Sequence, residues 1–346
     1  MRFFILLIFG FFLASCTPKE PIYNTQSYVF GTLVDITIYG ESEEKSQAVS
    51  NAIMRQFQDL HRRLHAWQPS EITALNQAFA QGKSIDIQPD VAAIVADATK
   101  LSAQSNGAFN PAIGGLIRTW GFQADEFKPI RVDEIAIKSL VAANPQMSDI
   151  AIENGQASSK NPALQLDLGG YAKGYALDKA LVYLREQGVK NALVNIGGNL
   201  IALGKHGEKP WVIGIQHPRQ PNAIASLDLP SGWAIGTSGD YQRYFVLDGK
   251  RYCHIIDPAT GYPVQGTQLV TVLIPPQTSA GVLSDVTSKP IFIAKMDARA
   301  ATAKTMGVEN FIVIGSASKI LVSPAMAKRL YWLDKNAAAH AAIIQP

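Results

Sequence analysis

The chain has 346 residues, 47% of them hydrophobic and 17% charged, with a formal net charge of +3. That much apolar material can build a sizeable core and excludes the disordered class. So small a net charge, with acids and bases mixed along the chain, argues against a nucleic-acid partner.

The N-terminal stretch MRFFILLIFGFFLASC places one arginine before an apolar run from Phe3 to Leu13. The run is too short to cross a bilayer as a mature helix and has the form of a signal-peptide core. Its end, Leu13-Ala14-Ser15-Cys16, matches the bacterial lipobox. Residues 1–15 are therefore expected to be removed, leaving Cys16 as a lipidated first residue that anchors the chain to a membrane. Residues 16–27 are expected to be the lipidated cysteine and a polar tether, and residues 28–340 one folded domain. Cys253 is the other cysteine, so no disulfide framework is expected.

Residues 29–40 alternate and are rich in β-branched side chains, which predicts a strand. Helical spacing follows over 42–67, stopped by Pro69, and again over 90–104, with Asp90 as candidate N-cap and Asn106-Gly107 beyond its end. Residues 107–122 are glycine-rich and aromatic with no clear period, and 131–145 looks helical. From about residue 150 strands dominate. Residues 163–168 alternate, with Leu164, Leu166 and Leu168 on one face and Gln165 and Asp167 on the other. A helix is expected from Ala172 to near Gly188, then apolar strands over 191–204, 211–218, 225–230 and 233–239. Asp248-Gly249 marks a hairpin turn within 244–256. A helix over 278–296 and a hairpin over 311–323 complete the pattern. Hairpins mixed with helices predict an α+β fold.

The stretch DLGGYAKGYALDKA (167–180) ends a strand in an acid, adds two glycines and opens a helix at a lysine. Such a turn lets backbone approach an anion and offers it helix N–H groups. Lys173 precedes Gly174, so this is no Walker loop, and the glycine spacing is not that of a dinucleotide fingerprint. A tight strand-to-helix turn carrying a surface lysine stays equally open. Four further polar segments follow: Asn195-Ile-Gly-Gly-Asn199, Gly236-Thr-Ser-Gly-Asp240, His254-Ile-Ile-Asp257-Pro-Ala-Thr-Gly261 and Leu283-Ser-Asp285-Val-Thr-Ser288-Lys289. Each is weak alone.

Taken in order, and with Phe30-Gly-Thr32, the segment from Trp67 to Asn76, Gly107-Ala108-Phe109-Asn110-Pro111 and Trp120-Gly-Phe122, the chain resembles the FAD:protein FMN transferases, the ApbE or flavin transferase family. The resemblance implies an α+β fold of mixed and antiparallel sheets with packed helices, holding FAD in a cleft between lobes. It implies that Asp167 and Lys173 contact FAD, that Ala108, Phe109 and Asn110 form a flavin-contact turn, and that Phe30 and Trp67 line the site. The Gly170 carbonyl and Asp285 would hold Mg2+. His254, Ile256 and Asp257 fall in the segment expected to serve the reacting hydroxyl, with His254 as general base. The implied reaction moves FMN from FAD to a Thr or Ser hydroxyl of an acceptor protein and releases AMP. Acceptors would carry an Asp-x-x-Ser-Gly-Ala-Thr-like motif and belong to exported or membrane electron-transport complexes. That places the chain on the periplasmic side of a bacterial membrane, the inner one by family habit.

Three positions depart from the family pattern: Phe30 stands where Met is usual, Asn110 where Asp is usual, and Lys289 where a Ser or Thr metal ligand is usual. An ammonium donates only and cannot coordinate a metal. Lys289 therefore either stands in for a cation, or leaves the adjacent Ser288 to supply the hydroxyl, or marks altered catalysis. The alternatives to transfer are an FAD-binding lipoprotein and an FAD pyrophosphatase with water as acceptor.

Overall fold

The computed structural model describes residues 20–316 and 319–344, so the expected signal peptide and Cys16 lie outside the described residues. A nine-stranded sheet organises the molecule. Its spatial order is Ile22–Val29, Thr32–Tyr39, Asn191–Ile196, Asn199–Leu203, Ala234–Gly239, Thr267–Ile274, Asn310–Gly315, Ile320–Val322 and Ala341–Ile343. Every pairing in it is antiparallel except the last.

The central strands are buried on both faces, and their side chains divide by parity. Val270, Val272, Phe311 and Val313 face a core shared with the helices Glu43–Arg63, Ala172–Glu186 and Ala280–Ile293. Leu269, Leu273, Ile312 and Ile314 face a second core, closed by the three-stranded sheet of Trp211–Gln216, Ala223–Leu229 and Leu330–Trp332. A third core joins the helices Glu71–Ala80 and Pro89–Gln104 to Leu164, Leu166 and Leu168, all three fully buried as their alternation predicts. A fourth, around Trp120, Phe122, Ile137 and Phe245, lies beneath the hairpin Tyr244–Leu247/Lys250–Cys253 that turns at Asp248-Gly249. The α+β expectation holds.

Several local expectations are corrected. Residues 22–27, expected in the tether, belong to the edge strand Ile22–Val29. Its polar side chains pair across the sheet: Thr37 donates to Asn24 at 2.7 Å, and Gln26 to Asp35 at 2.6 Å. The strand expected over 29–40 is broken by a two-residue turn at Phe30 (φ 57°) and Gly31 (φ 69°), both left-handed. The first long helix stops at Arg63, and a separate helix, Glu71–Ala80, follows; Ser70 and Thr73 cap it reciprocally. Asp90 is inside the next helix rather than its N-cap. Its carboxylate, with Glu71, takes the Arg63 guanidinium, so one arginine joins three helix ends.

The helices Ala172–Glu186 and Ala280–Ile293 touch backbone to backbone. A Cβ on Gly174 would lie 2.4 Å from the Gly281 carbonyl oxygen, and one on Gly281 would lie 2.4 Å from the Gly174 carbonyl oxygen. Asp178 seals the contact, accepting from the N–H groups of Gly281 (2.7 Å) and Val282 (2.9 Å). Gly174→Ala is expected to force the helices apart at a cost of ~1–3 kcal/mol, read as a lower urea midpoint at unchanged slope. A wild-type midpoint would show that this contact yields freely.

Candidate functional site

A cleft of about 650 Å³ opens where the first, third and fourth cores meet, a size ordinary for a small-molecule site. Its lining includes Phe30, Trp67, Ala108, Phe109, Asn110, Asp167, Gly170, Lys173, His254, Ile256, Asp285 and Lys289. Residues expected from six separated segments thus share one cavity.

Two expected residues do not line it. The Asp257 carboxylate turns into its own loop, accepting from Ala259 N–H (2.9 Å) and the Thr260 hydroxyl (3.3 Å). Ser288 is buried and hydrogen-bonded to the Ser238 hydroxyl (2.8 Å) and the Asp285 carbonyl (2.9 Å). Asn110 lines the cleft, yet its amide holds the turn: Nδ2 donates to the Pro145 carbonyl (2.9 Å) and Oδ1 accepts from Ala112 N–H (3.0 Å). A carboxylate could not make the first of these bonds, which accounts for Asn at this position.

The opening of the Ala172–Glu186 helix differs from the expected anion cradle. Ala172 N–H donates to the Leu168 carbonyl (2.9 Å), and Gly174 N–H donates to Asp285 Oδ2 (3.1 Å). The turn's glycines serve close packing instead. A Cβ on Gly170 would lie 2.8 Å from Lys289 Cε and 3.2 Å from Cδ, so the lysine stem lies directly over this residue. Asp167 closes the turn, accepting from Gly169 N–H and from Gln123, both at 3.0 Å.

Asp285 is 2% exposed. Lys289 Nζ donates to its Oδ1 at 2.7 Å and to its backbone carbonyl at 2.6 Å, and Lys173 Nζ stands 3.8 Å from the same Oδ1. Burial alone would raise the Asp285 carboxyl. The Lys173 and Lys289 ammoniums, with the bonds from Lys289 and Gly174, outweigh it and hold the group below the ordinary carboxylate range. Burial lowers Lys173, which Asp285 partly offsets.

The His254 ring sits against Arg243. Its Nδ1 lies 3.2 Å from the Arg243 carbonyl oxygen, which can only accept, so Nδ1 carries the proton and Nε2 keeps a free lone pair. Burial first, then the Arg243 and Lys173 charges, push the imidazole well below its ordinary value of 6.5. It is neutral at pH 7.

Among the lining residues that sequence reasoning missed are Arg243, His61 and His65. Arg243 donates to the Phe122 carbonyl (3.1 Å) and stacks 5.1 Å from the Phe127 ring centroid. Phe30, His61, His65 and Trp67 form a chain of rings with successive centroid separations of 5.5, 5.0 and 4.4 Å. Burial lowers both imidazoles, so this wall is uncharged at neutral pH. The i,i+4 spacing of the two histidines was the available signal. Arg243, in an irregular link between strands, offered none.

The cleft therefore combines flat ring surfaces with the basic side chains Lys173, Arg243 and Lys289, the carboxylates Asp125, Asp167 and Asp285, and the neutral His254 imidazole. That set suits a ligand with aromatic rings and a polyanionic centre, and a proton transfer beside it.

The family model described as the ApbE family matches residues 30–312. A curated protein of Rhodobacter capsulatus named FAD:protein FMN transferase is 38% identical over 315 residues; the match covers 91% of this chain and 59% of that protein's length. One of the same name from Klebsiella pneumoniae is 30% identical over 292 residues, covering 80% of this chain and 83% of the relative. Among solved structures, the ApbE protein of Thermotoga maritima superposes with a TM-score of 0.80 at 27% identity, covering 89% of this chain and 99% of that one.

Proposed function

The chain belongs to the ApbE family, and we infer that it is an FAD:protein FMN transferase, joining FMN to a Thr or Ser hydroxyl of another protein and releasing AMP. The observation that carries this reading is the cleft that gathers Lys173, Arg243, His254, Asp285 and Lys289 beside ring-lined walls.

In this reading the acceptor oxygen attacks the FMN-side phosphorus of FAD. The new bond is oxygen to phosphorus, and the pyrophosphate P–O bond breaks toward AMP. Lys173, Lys289 and Arg243 neutralise the pyrophosphate, and the aromatic walls take the ring systems. His254 Nε2 receives the hydroxyl proton. Asp257 takes no part beyond shaping its turn, and Ser288 supports Ser238 from behind. Magnesium, implied by resemblance, does not fit the donor set present. The Asp285 oxygens already face Lys289 and Gly174 N–H, two ammoniums stand beside them, and no cluster of three His, Cys, Asp or Glu side chains suited to a metal occurs among the described residues. No step is routed through it.

The setting follows the lipobox reading: Cys16 carries lipid, the cleft faces the periplasm, and the acceptor is an exported or membrane protein with the Asp-x-x-Ser-Gly-Ala-Thr-like motif. No helix among the described residues is long and apolar enough to cross a membrane, which leaves the lipid as the proposed anchor.

The test incubates the chain from Thr17 onward with FAD and a motif-bearing acceptor, then reads flavin fluorescence on the denatured acceptor. Labelling that disappears when the acceptor threonine becomes valine supports the reading; absence of labelling with FAD bound overturns it. The pH profile gives a second check. Since the free enzyme's His254 titrates well below 6.5, kcat/KM for FAD is expected to stay level as pH falls from 8 through 6.5 and to decline only below. A half-loss at the ordinary histidine value would mean another group is the base.

A further inference from the structure

We infer that the Lys289 ammonium occupies the cation position of this site, so that the chain binds FAD, and transfers FMN, without a divalent metal. The geometry is specific. The Lys289 stem crosses Gly170 at Cβ-contact range, and its Nζ ends 2.7 Å from Asp285 Oδ1 and 2.6 Å from the Asp285 carbonyl. The side chain thereby joins the two residues, Gly170 and Asp285, that resemblance would give to a metal. A methyl group at 170 would displace this stem, so glycine leaves the lysine its place.

Chemistry agrees with the placement. Magnesium needs near-octahedral oxygen ligands at roughly 2.0–2.1 Å. Here the position four residues after Asp285 supplies an ammonium, which repels a cation and offers it no lone pair. The hydroxyl next to it in sequence, Ser288, is committed to Ser238 and to the Asp285 carbonyl. Meanwhile Lys173, Lys289 and Arg243 line the cleft together with the carboxylates Asp125, Asp167 and Asp285, so the Lys289 ammonium adds a third cation where an FAD pyrophosphate needs positive charge. Asp285 becomes the holder of Lys289 rather than a metal ligand. Of its three N–H donors the ammonium gives two to Asp285 and keeps one for a phosphoryl oxygen. The transfer half of the inference rests on the FMN-transferase reading; the binding half does not.

The experiment measures FAD affinity by flavin fluorescence on the intact chain from Thr17 onward, in excess EDTA and in magnesium, together with labelling of the motif-bearing acceptor. Affinity in EDTA is expected to equal that in magnesium, and labelling to proceed at the same rate in both. Lys289→Thr is expected to lose ~10²–10³-fold in EDTA and to regain much of it with magnesium, since it places a hydroxyl beside a carboxylate freed of its ammonium. Wild-type FAD binding that collapses in EDTA and recovers with magnesium overturns the inference, whatever the labelling does and whether or not the variant folds. FAD bound tightly in EDTA with no labelled acceptor under any condition would instead defeat the transferase reading and leave the Lys289 position standing.

Discussion

His254→Ala is expected to slow FMN transfer by roughly 10²–10⁴-fold while FAD still binds. The imidazole is held by one defined bond, Nδ1 to the Arg243 carbonyl, which commits the free lone pair of Nε2 to whatever occupies the cleft. Its depressed basicity keeps it unprotonated at neutral pH, so the whole enzyme population is competent to accept a proton. The cations proposed to hold the pyrophosphate come from other segments, which is why affinity should survive. Single-turnover labelling at saturating FAD separates the two effects. His254→Gln, which can keep a bond to the Arg243 carbonyl but has no basic nitrogen, should be equally slow. A fast glutamine variant would make the ring a spacer and not a base.

Asp285→Ala carries the second large effect, on stability as well as turnover. The carboxylate is almost wholly buried, while its partners are partly open: the Lys289 side chain is 17% exposed and that of Lys173 is 25% exposed. Removing one member of a buried pair costs ~3–5 kcal/mol, and that partial exposure places this case at the lower end. The Gly174 N–H also loses its acceptor. The double variant Asp285→Ala/Lys289→Met is expected to recover most of the lost stability, because the closer of the two ammoniums, that of Lys289, is not left unpaired, yet to remain without transfer. Urea unfolding of parent, single and double variants decides it, and a single variant as stable as the parent would contradict the buried-pair account. The sign of the pH dependence is fixed as well. The folded-state carboxyl lies below its ordinary value of 3.8, so its contribution is complete at neutral pH and is lost only as acid takes the pH down through the folded value.

Much of the frame was legible from periodicity. Leu164, Leu166 and Leu168 alternate and are buried; Asp248-Gly249 turns a hairpin; the helices near 172–188 and 278–296 occur within a few residues of expectation. Misreadings arose where local signals compete with tertiary ones. Phe30 adopts a left-handed turn that its side chain disfavours, and only its packing against Phe57 and His61 shows what holds it there. The edge strand Ile22–Val29 lacks an apolar face and is recognisable only once Thr32–Tyr39 is beside it. Asp90 looked like a cap because caps are read locally, whereas its partner Arg63 lies 27 residues away. At the site, resemblance supplied the segments, but spacing could not tell that Asp257 faces its own loop, that Asn110 spends its amide on backbone, or that the glycine turn makes room for Lys289. Those are facts of packing between elements distant in sequence.

The central claim is that FAD's pyrophosphate is split by a protein hydroxyl in this cleft. The most direct measurement counts AMP released against FMN bound covalently to the acceptor in one reaction. One AMP per attached FMN, with no free FMN, is the predicted result. AMP accompanied by free FMN would mean that water is the acceptor, and intact FAD with no AMP would mean that the cleft only binds it; either outcome contradicts the account.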